Sequence, residues 1–126
     1  MEIVITNNPL VREKFSAKDD ILLEFHDTDY LSILKITRDK IHLGHSLHTH
    51  PLSGSIKPGE TPYKTLLICA DRGKLDVKSL SIIEESIQTC QKFTVKNILQ
   101  NDENNSHNDK VLRDFQLIDY DLIFTN

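Results

Sequence analysis

Leu66-Leu67-Ile68-Cys69-Ala70-Asp71-Arg72-Gly73-Lys74-Leu75-Asp76-Val77 passes from a continuous apolar run, through a polar turn, into the start of a helix. The apolar run has strand length, and Asp71 to Lys74 carry turn chemistry. Asp76 is placed as an N-cap, with Leu75 and Leu80 at the positions of a hydrophobic staple. Val77, Leu80, Ile83, Ile87 and Cys90 then recur at steps of three or four, which predicts an amphipathic helix. A buried strand feeding a helix with one apolar face is the unit from which α/β folds are built.

The same alternation extends on both sides. Ile3-Val4-Ile5 reads as a buried strand that stops at the turn Thr6-Asn7-Asn8-Pro9. Val11 to Phe15 suit a short helix, and Ile21 to Phe25 a second strand. Asp27 or Thr28 can cap a helix reaching about Leu43, with Tyr30, Leu34 and Ile41 on one face and Gly44 as the stop. Near the end, Ser106 with Asp109 is placed to cap a last helix. In it Leu112, Phe115, Ile118 (or Asp119 on the next step) and Leu122 keep a helical rhythm. Leu122-Ile123-Phe124 is the alternative edge strand. The expectation is one α/β domain over residues 1–126. It would have three layers, a short parallel sheet of three strands (four with the alternative), and the Rossmann-like order 2-1-3.

Composition bounds the function. The chain has 126 residues, a formal charge of −4 and 38% hydrophobic residues, enough for a core without disulfides or metal. No apolar run approaches the ~18 residues of a membrane span, and the start lacks the pattern of a signal peptide. The cytosol is therefore the expected compartment. Net acidity disfavours nucleic acid as a partner. The charge is uneven, however. Residues 1–74 hold ten basic and ten acidic residues, so the whole negative excess follows residue 74. Cys69, in a strand, and Cys90, on a helix stripe, read as small buried hydrophobes.

Residues 44–64 fit neither helix nor strand. They hold three of the four prolines, three of the four glycines, and His45, His48 and His50. Loops this long in compact domains are usually functional or disordered, and Leu47, Leu52, Ile56 and Tyr63 give this one apolar anchors. Ser53-Gly54-Ser55 offers hydroxyls and converging backbone N–H groups for an oxyanion. Lys57 and Lys64 add charge, and Thr61 and Tyr63 add hydroxyls. A phosphate or a carboxylate suits that set, although the P-loop spacing is absent. An ordinary turn-rich loop packed through Leu52 and Ile56 is the alternative. His45, His48 and His50 are weak candidates for zinc, since no cysteine or carboxylate nearby completes a set. No cofactor is expected. His50, before Pro51, is the one candidate acid–base group.

Asn7 and Asn8 are the third candidate, because ligands of parallel sheets favour the carboxyl ends of strands. A turn leading into Pro9 is their structural alternative. If all strands are parallel, the end of the 44–64 loop belongs at the opposite end of the sheet from Asn7. Asp71 and Arg72 would then share the rim of Asn7. At ~3.3 Å per extended residue the loop could still climb one strand and return, so one site and two sites both stay open.

Thr6-Asn7-Asn8-Pro9-Leu10-Val11, the run from Thr49-His50-Pro51-Leu52-Ser53-Gly54-Ser55-Ile56 through Lys57-Pro58-Gly59-Glu60-Thr61-Pro62-Tyr63-Lys64, and Asp114-Phe115-Gln116-Leu117-Ile118-Asp119 resemble the GrdX family. Its members are encoded beside the selenium-dependent glycine, sarcosine and betaine reductase systems of amino-acid-fermenting anaerobic bacteria. The resemblance implies a cytosolic accessory protein with reductase subunits as partners, and no particular reaction. Two functional expectations follow. One is a non-catalytic accessory protein binding a small anion or a partner subunit through residues 44–64. The other is a small enzyme for a phosphorylated or carboxylated metabolite, with His50 as acid–base and Lys57 as anion clamp. Nothing in the sequence sets the oligomeric state.

Overall fold

A computed structural model describes residues 2–15, 21–49, 61–100 and 109–124. Its elements run β1 (Glu2–Thr6), α1 (Pro9–Phe15), β2 (Ile21–Phe25), α2 (Tyr30–His42), β3 (Thr65–Cys69), α3 (Val77–Gln100) and α4 (Asp109–Phe124). The last described segment is therefore helical, and Leu122 to Phe124 belong to α4. None of the described helices is long and apolar enough to cross a membrane.

The strands form one sheet in the expected order, β2-β1-β3. The β1–β2 pair is parallel, with Ile3 opposite Leu22 and Thr6 opposite Phe25. The β1–β3 pair is antiparallel, with Thr6 opposite Thr65 and Glu2 opposite Cys69. The sheet is thus mixed, and the all-parallel, Rossmann-like expectation holds only for its β1–β2 half.

The reason lies between α2 and β3. After α2 the chain does not enter β3 directly. It first runs along the free edge of β3, where Leu47 bridges Ile68 in antiparallel sense. His48 N–H donates to the Leu67 carbonyl at 2.9 Å, and Cys69 N–H donates to the Ser46 carbonyl at 2.8 Å. One extra pass across the sheet reverses the direction in which β3 must be laid down. Only Leu47 from this pass packs on the core, so the segment shows no strand periodicity.

Alternation in the strands sorts side chains onto two faces. Ile3, Ile5, Leu66 and Ile68 face α2 and α3, packing with Ile33, Leu34, Ile41, Ile83, Ile87 and Cys90. Val4 faces the other way, onto Val11, Phe15 and Tyr120, with Leu23 and Leu67 beside it. Helices cover both faces, as expected. The α3 stripe is narrower than its rhythm suggested, because Val77 is exposed, and Leu75, expected to staple onto Leu80, is 45% exposed. Cys69 is half-buried rather than buried, and only Cys90 meets the expectation.

Local chemistry sets the helix starts. Asp29, not Asp27 or Thr28, caps α2 by accepting from Ser32 N–H at 2.8 Å. Asn8 caps α1: its Oδ1 accepts from Leu10 N–H at 3.0 Å, with Pro9 at the first helical position, where a missing N–H costs nothing. Gly44 follows α2 with φ 110°, and an added Cβ there would lie 2.4 Å from the Gly73 carbonyl oxygen. That crossing of two glycines lets the chain leave α2 beside the turn after β3. Arg72 Nε closes it by donating to the Leu43 carbonyl at 3.0 Å. Because β3 is antiparallel, Asp71 and Arg72 sit at the end of the sheet away from Asn7.

Candidate functional site at the carboxyl end of the central strand

The antiparallel β3 starts where β1 ends. Lys64 and Thr65 therefore stand directly beside Thr6 and Asn7. The described part of the 44–64 segment that leads into β3 lies on the same rim as the two asparagines, not opposite them. Asn7, Asn8, Thr61, Tyr63 and Lys64 come together there. His50, Ser53, Ser55 and Lys57 lie outside the described residues.

Asn7 holds three segments at once. Its Nδ2 donates to the Thr28 carbonyl at 2.8 Å and to the Pro62 carbonyl at 2.9 Å. Its Oδ1 accepts from Lys64 N–H at 2.8 Å. Asn8 is fully buried. Besides capping α1, it donates through Nδ2 to the Gln116 carbonyl at 3.0 Å and to Asp119 Oδ2 at 2.9 Å. Both amides are thus committed to joining β1, the β3 entry and α4. The turn reading accounts for their backbone position, and these long-range bonds were not legible from it.

Asp119 is the residue that the sequence reading did not place in a site. It projects from α4 toward the sheet and is 7% exposed, whereas Leu117 and Ile118 are solvent-facing. Its Oδ2 accepts from Thr65 Oγ1 at 2.6 Å as well as from Asn8. Thr65 Oγ1 is in turn 2.7 Å from Thr6 Oγ1, which accepts from Asn8 N–H at 2.9 Å. Gln116, one turn earlier, donates through Nε2 to the Tyr63 hydroxyl at 3.0 Å. Tyr63 N–H donates to Thr61 Oγ1 at 3.2 Å. The available signal was an Asp on the inward rhythm of an amphipathic helix, one step from Ile118.

Three buried ionisable groups meet at this rim: Lys64, Tyr30 of α2 and Asp119 of α4. Lys64, just before β3, is 6% exposed. Its Nζ lies 5.7 Å from the centroid of the Tyr30 ring at the start of α2. Among the described residues no carboxylate forms an ion pair with it, and no acceptor hydrogen-bonds it. Burial pulls the Lys64 amine below its usual value, against the attraction of Asp119. Burial pushes the Asp119 carboxyl up, opposed by its bonds from Thr65 and Asn8 and by the charge of Lys64. Burial also pushes the Tyr30 hydroxyl up, reinforced by Cys90 and Asp119. Lys64 and Asp119 therefore sense one another without touching.

The histidines of the 44–64 segment lie elsewhere. His45 is buried, with Nδ1 donating to the Cys69 carbonyl at 2.8 Å. His48 Nδ1 lies 2.5 Å from Glu2 Oε2. Each ring is tied near the amino end of β1 to a partner of its own. Among the described residues no group of three His, Cys, Asp or Glu side chains is arranged to hold a metal ion.

Fold and site together define a small three-layer α/β protein with a buried polar cluster at the carboxyl end of its central strand. The chain belongs to the GrdX-like protein family, whose model matches residues 3–126. No curated protein and no solved structure matches it.

Proposed function

We propose that this protein is a cytoplasmic accessory component of a glycine, sarcosine or betaine reductase system in an anaerobic bacterium, and that it binds a small anion at the carboxyl end of β1. Membership of the GrdX-like family supports the setting. One observation supports the anion: Lys64 is 6% exposed, and its amine, which keeps an edge to solvent, has neither an acceptor nor an ion-pair partner among the described residues. Buried charges are normally paired, because taking an ammonium out of water costs several kcal/mol. A lysine kept in that state fits a counter-charge that arrives with a ligand. The bound group would be a carboxylate or a phosphate, with Lys64 as the cation and Ser53, Ser55 and Lys57 as further contacts from the same connection.

The test is calorimetric titration of the full chain with acetate, glycine and inorganic phosphate, repeated on Lys64→Met. Binding of at least one anion that is lost in the variant is the expected result. Absence of binding by all three in the wild type refutes the anion site. Reductase subunits are the proposed partners. Their failure to co-purify with the tagged chain from producing cells refutes the accessory role separately.

A further inference from the structure

Leu43, Leu75 and Val77 are 52%, 45% and 71% exposed. A single apolar side chain on a surface needs no explanation, but a group of them on one small platform does. These three sit on the two segments that meet at the glycine crossing, at the end of the sheet away from Asn7. Gly73 N–H donates to the Gly44 carbonyl at 3.0 Å, and Arg72 Nε donates to the Leu43 carbonyl at 3.0 Å. The two segments are therefore fixed to each other, and they present their side chains on a framework that binding need not order. The position of Leu75, just before Asp76, suits a staple onto Leu80, yet nearly half of the side chain is left to solvent.

The charges interleaved with these residues reverse the sign of the chain. Arg72, Lys74 and Lys78 are exposed and enter no ion pair among the described residues. On α2, by contrast, Arg38 is paired with Glu84 and Lys40 with Glu24. Opposing the three cations are Asp71, which is exposed, and Asp76, which is half-buried and accepts from the Ser79 hydroxyl. Three cations against two carboxylates make residues 71–78 net +1, in a chain of −4. Exposed apolar side chains alternating with unpaired cations suit an occupant that carries apolar residues and carboxylates together. A two-fold pair of this chain does not provide that, because the same patch on both copies sets cations against cations. An anionic membrane does not provide it either, since Asp71 and Asp76 would face its headgroups.

We propose that this end of the molecule docks an acidic segment of a partner protein. Apolar residues of that segment pack on Leu43, Leu75 and Val77, and its carboxylates pair with Arg72, Lys74 and Lys78. The surface lies at the opposite end of the sheet from the anion rim, so neither reading depends on the other.

For the test, the tagged full chain is treated with a water-soluble carbodiimide in a lysate of cells that naturally produce it, and cross-linked peptides are mapped by mass spectrometry. The reagent joins amines to carboxylates without a spacer, so it reads direct contact between a lysine and an acidic residue. The expected product joins Lys74 or Lys78 to an Asp- and Glu-rich segment of another protein. Its yield should fall at least ~10-fold in Leu75→Ser/Val77→Ser, which keeps both lysines. A synthetic peptide of the cross-linked segment should bind the wild type at least ~10-fold more tightly than Lys74→Glu/Lys78→Glu in fluorescence anisotropy. Absence of any intermolecular cross-link from Lys74 and Lys78 overturns the proposal, as does a yield unchanged in the apolar variant. A cross-link to a second copy of this chain overturns it in favour of self-association. Co-sedimentation with phosphatidylserine vesicles that is lost in the apolar variant overturns it in favour of a membrane. If Leu75→Ser/Val77→Ser does not melt like the wild type, the peptide comparison decides alone.

Discussion

Lys64→Met should make the free protein more stable. The substitution keeps a long unbranched stem of similar reach, so the packing around it is largely retained. The main-chain bond from Lys64 N–H to Asn7 Oδ1 does not depend on the side chain. What is lost is the attraction of the amine to the Tyr30 ring, 5.7 Å away, worth about 0.5–1 kcal/mol at such a distance. The long-range attraction to Asp119 is lost as well. What is relieved is the partial desolvation of an unpaired ammonium that keeps an edge to solvent, which costs less than the several kcal/mol of full burial. The balance favours the variant by about 1 kcal/mol at neutral pH, or a rise in Tm of roughly 3–5 °C for a chain of this size.

The gain must also depend on pH, with a definite sign. The Lys64 amine is held below its ordinary 10.5 in the folded state. Below the folded value the native protein carries the full penalty. Between that value and 10.5 the native state has released a proton that the unfolded state still binds, so wild-type stability rises with pH. The advantage of Lys64→Met is therefore largest on the acid side of the folded value and fades as pH approaches 10.5. Urea unfolding of both proteins at about pH 7 and pH 10 reads this directly. A loss of more than ~1 kcal/mol in the variant, or a gain unchanged between the two pH values, would refute the unpaired-amine argument.

Three further outcomes follow from the same structure. Asn8→Ala removes the cap on Leu10 and the donors to Gln116 and Asp119, and should cost about 3–4 kcal/mol in urea unfolding; a cost near 1 kcal/mol would mean that only the cap matters. Gly44→Ala sets a Cβ against the Gly73 carbonyl at φ 110° and should cost about 2–4 kcal/mol, while Gly73→Ala, with nothing within 4 Å, should stay within about 0.5; equal effects would contradict the crossing. The Asp119 carboxyl is raised above 3.8 by burial, so the native state keeps a proton that the unfolded chain has lost. Wild-type stability should then fall relative to Asp119→Asn as pH rises from 3.8 through the folded value; parallel stability curves from about pH 4 to pH 7 would oppose it.

Much of the fold was readable, because long periodic segments report themselves. The α2 face of Tyr30, Leu34 and Ile41 and the α3 stripe of Ile83, Ile87 and Cys90 are buried as their spacing required. The direction of β3 was not readable. It depends on the pass through Ser46-Leu47-His48, whose main chain pairs with β3 while Leu47 alone packs inward. Main-chain hydrogen bonding of that kind leaves no mark on side-chain pattern. The reversal also decided the site: it brought Lys64 to Asn7, which a parallel strand would have kept a strand length away. Asp119 was half-readable, as the alternative to Ile118 on the α4 stripe. Hydrophobic periodicity tolerates the choice of Ile118, and only the buried donors of Asn8 and Thr65 make Asp119 the inward residue.

The polar anchoring of α4 ties the site to the end of the chain. Apolar contact does part of the docking, with the Phe15 and Tyr120 ring centroids 5.8 Å apart. The rest comes from Gln116 and Asp119, which reach Tyr63, Asn8 and Thr65. Apolar packing alone would let a helix slide by small steps at little cost. A carboxylate bonded to two fixed donors does not allow that, because a displacement leaves a buried charge without its bonds. The position of α4 along the sheet and the geometry around Lys64 are therefore set by the same few atoms. A ligand taken up at this rim, as proposed, would act on how firmly α4 is held. The reciprocal would also follow, since whatever stabilises α4 on the sheet would favour the arrangement that takes up that ligand.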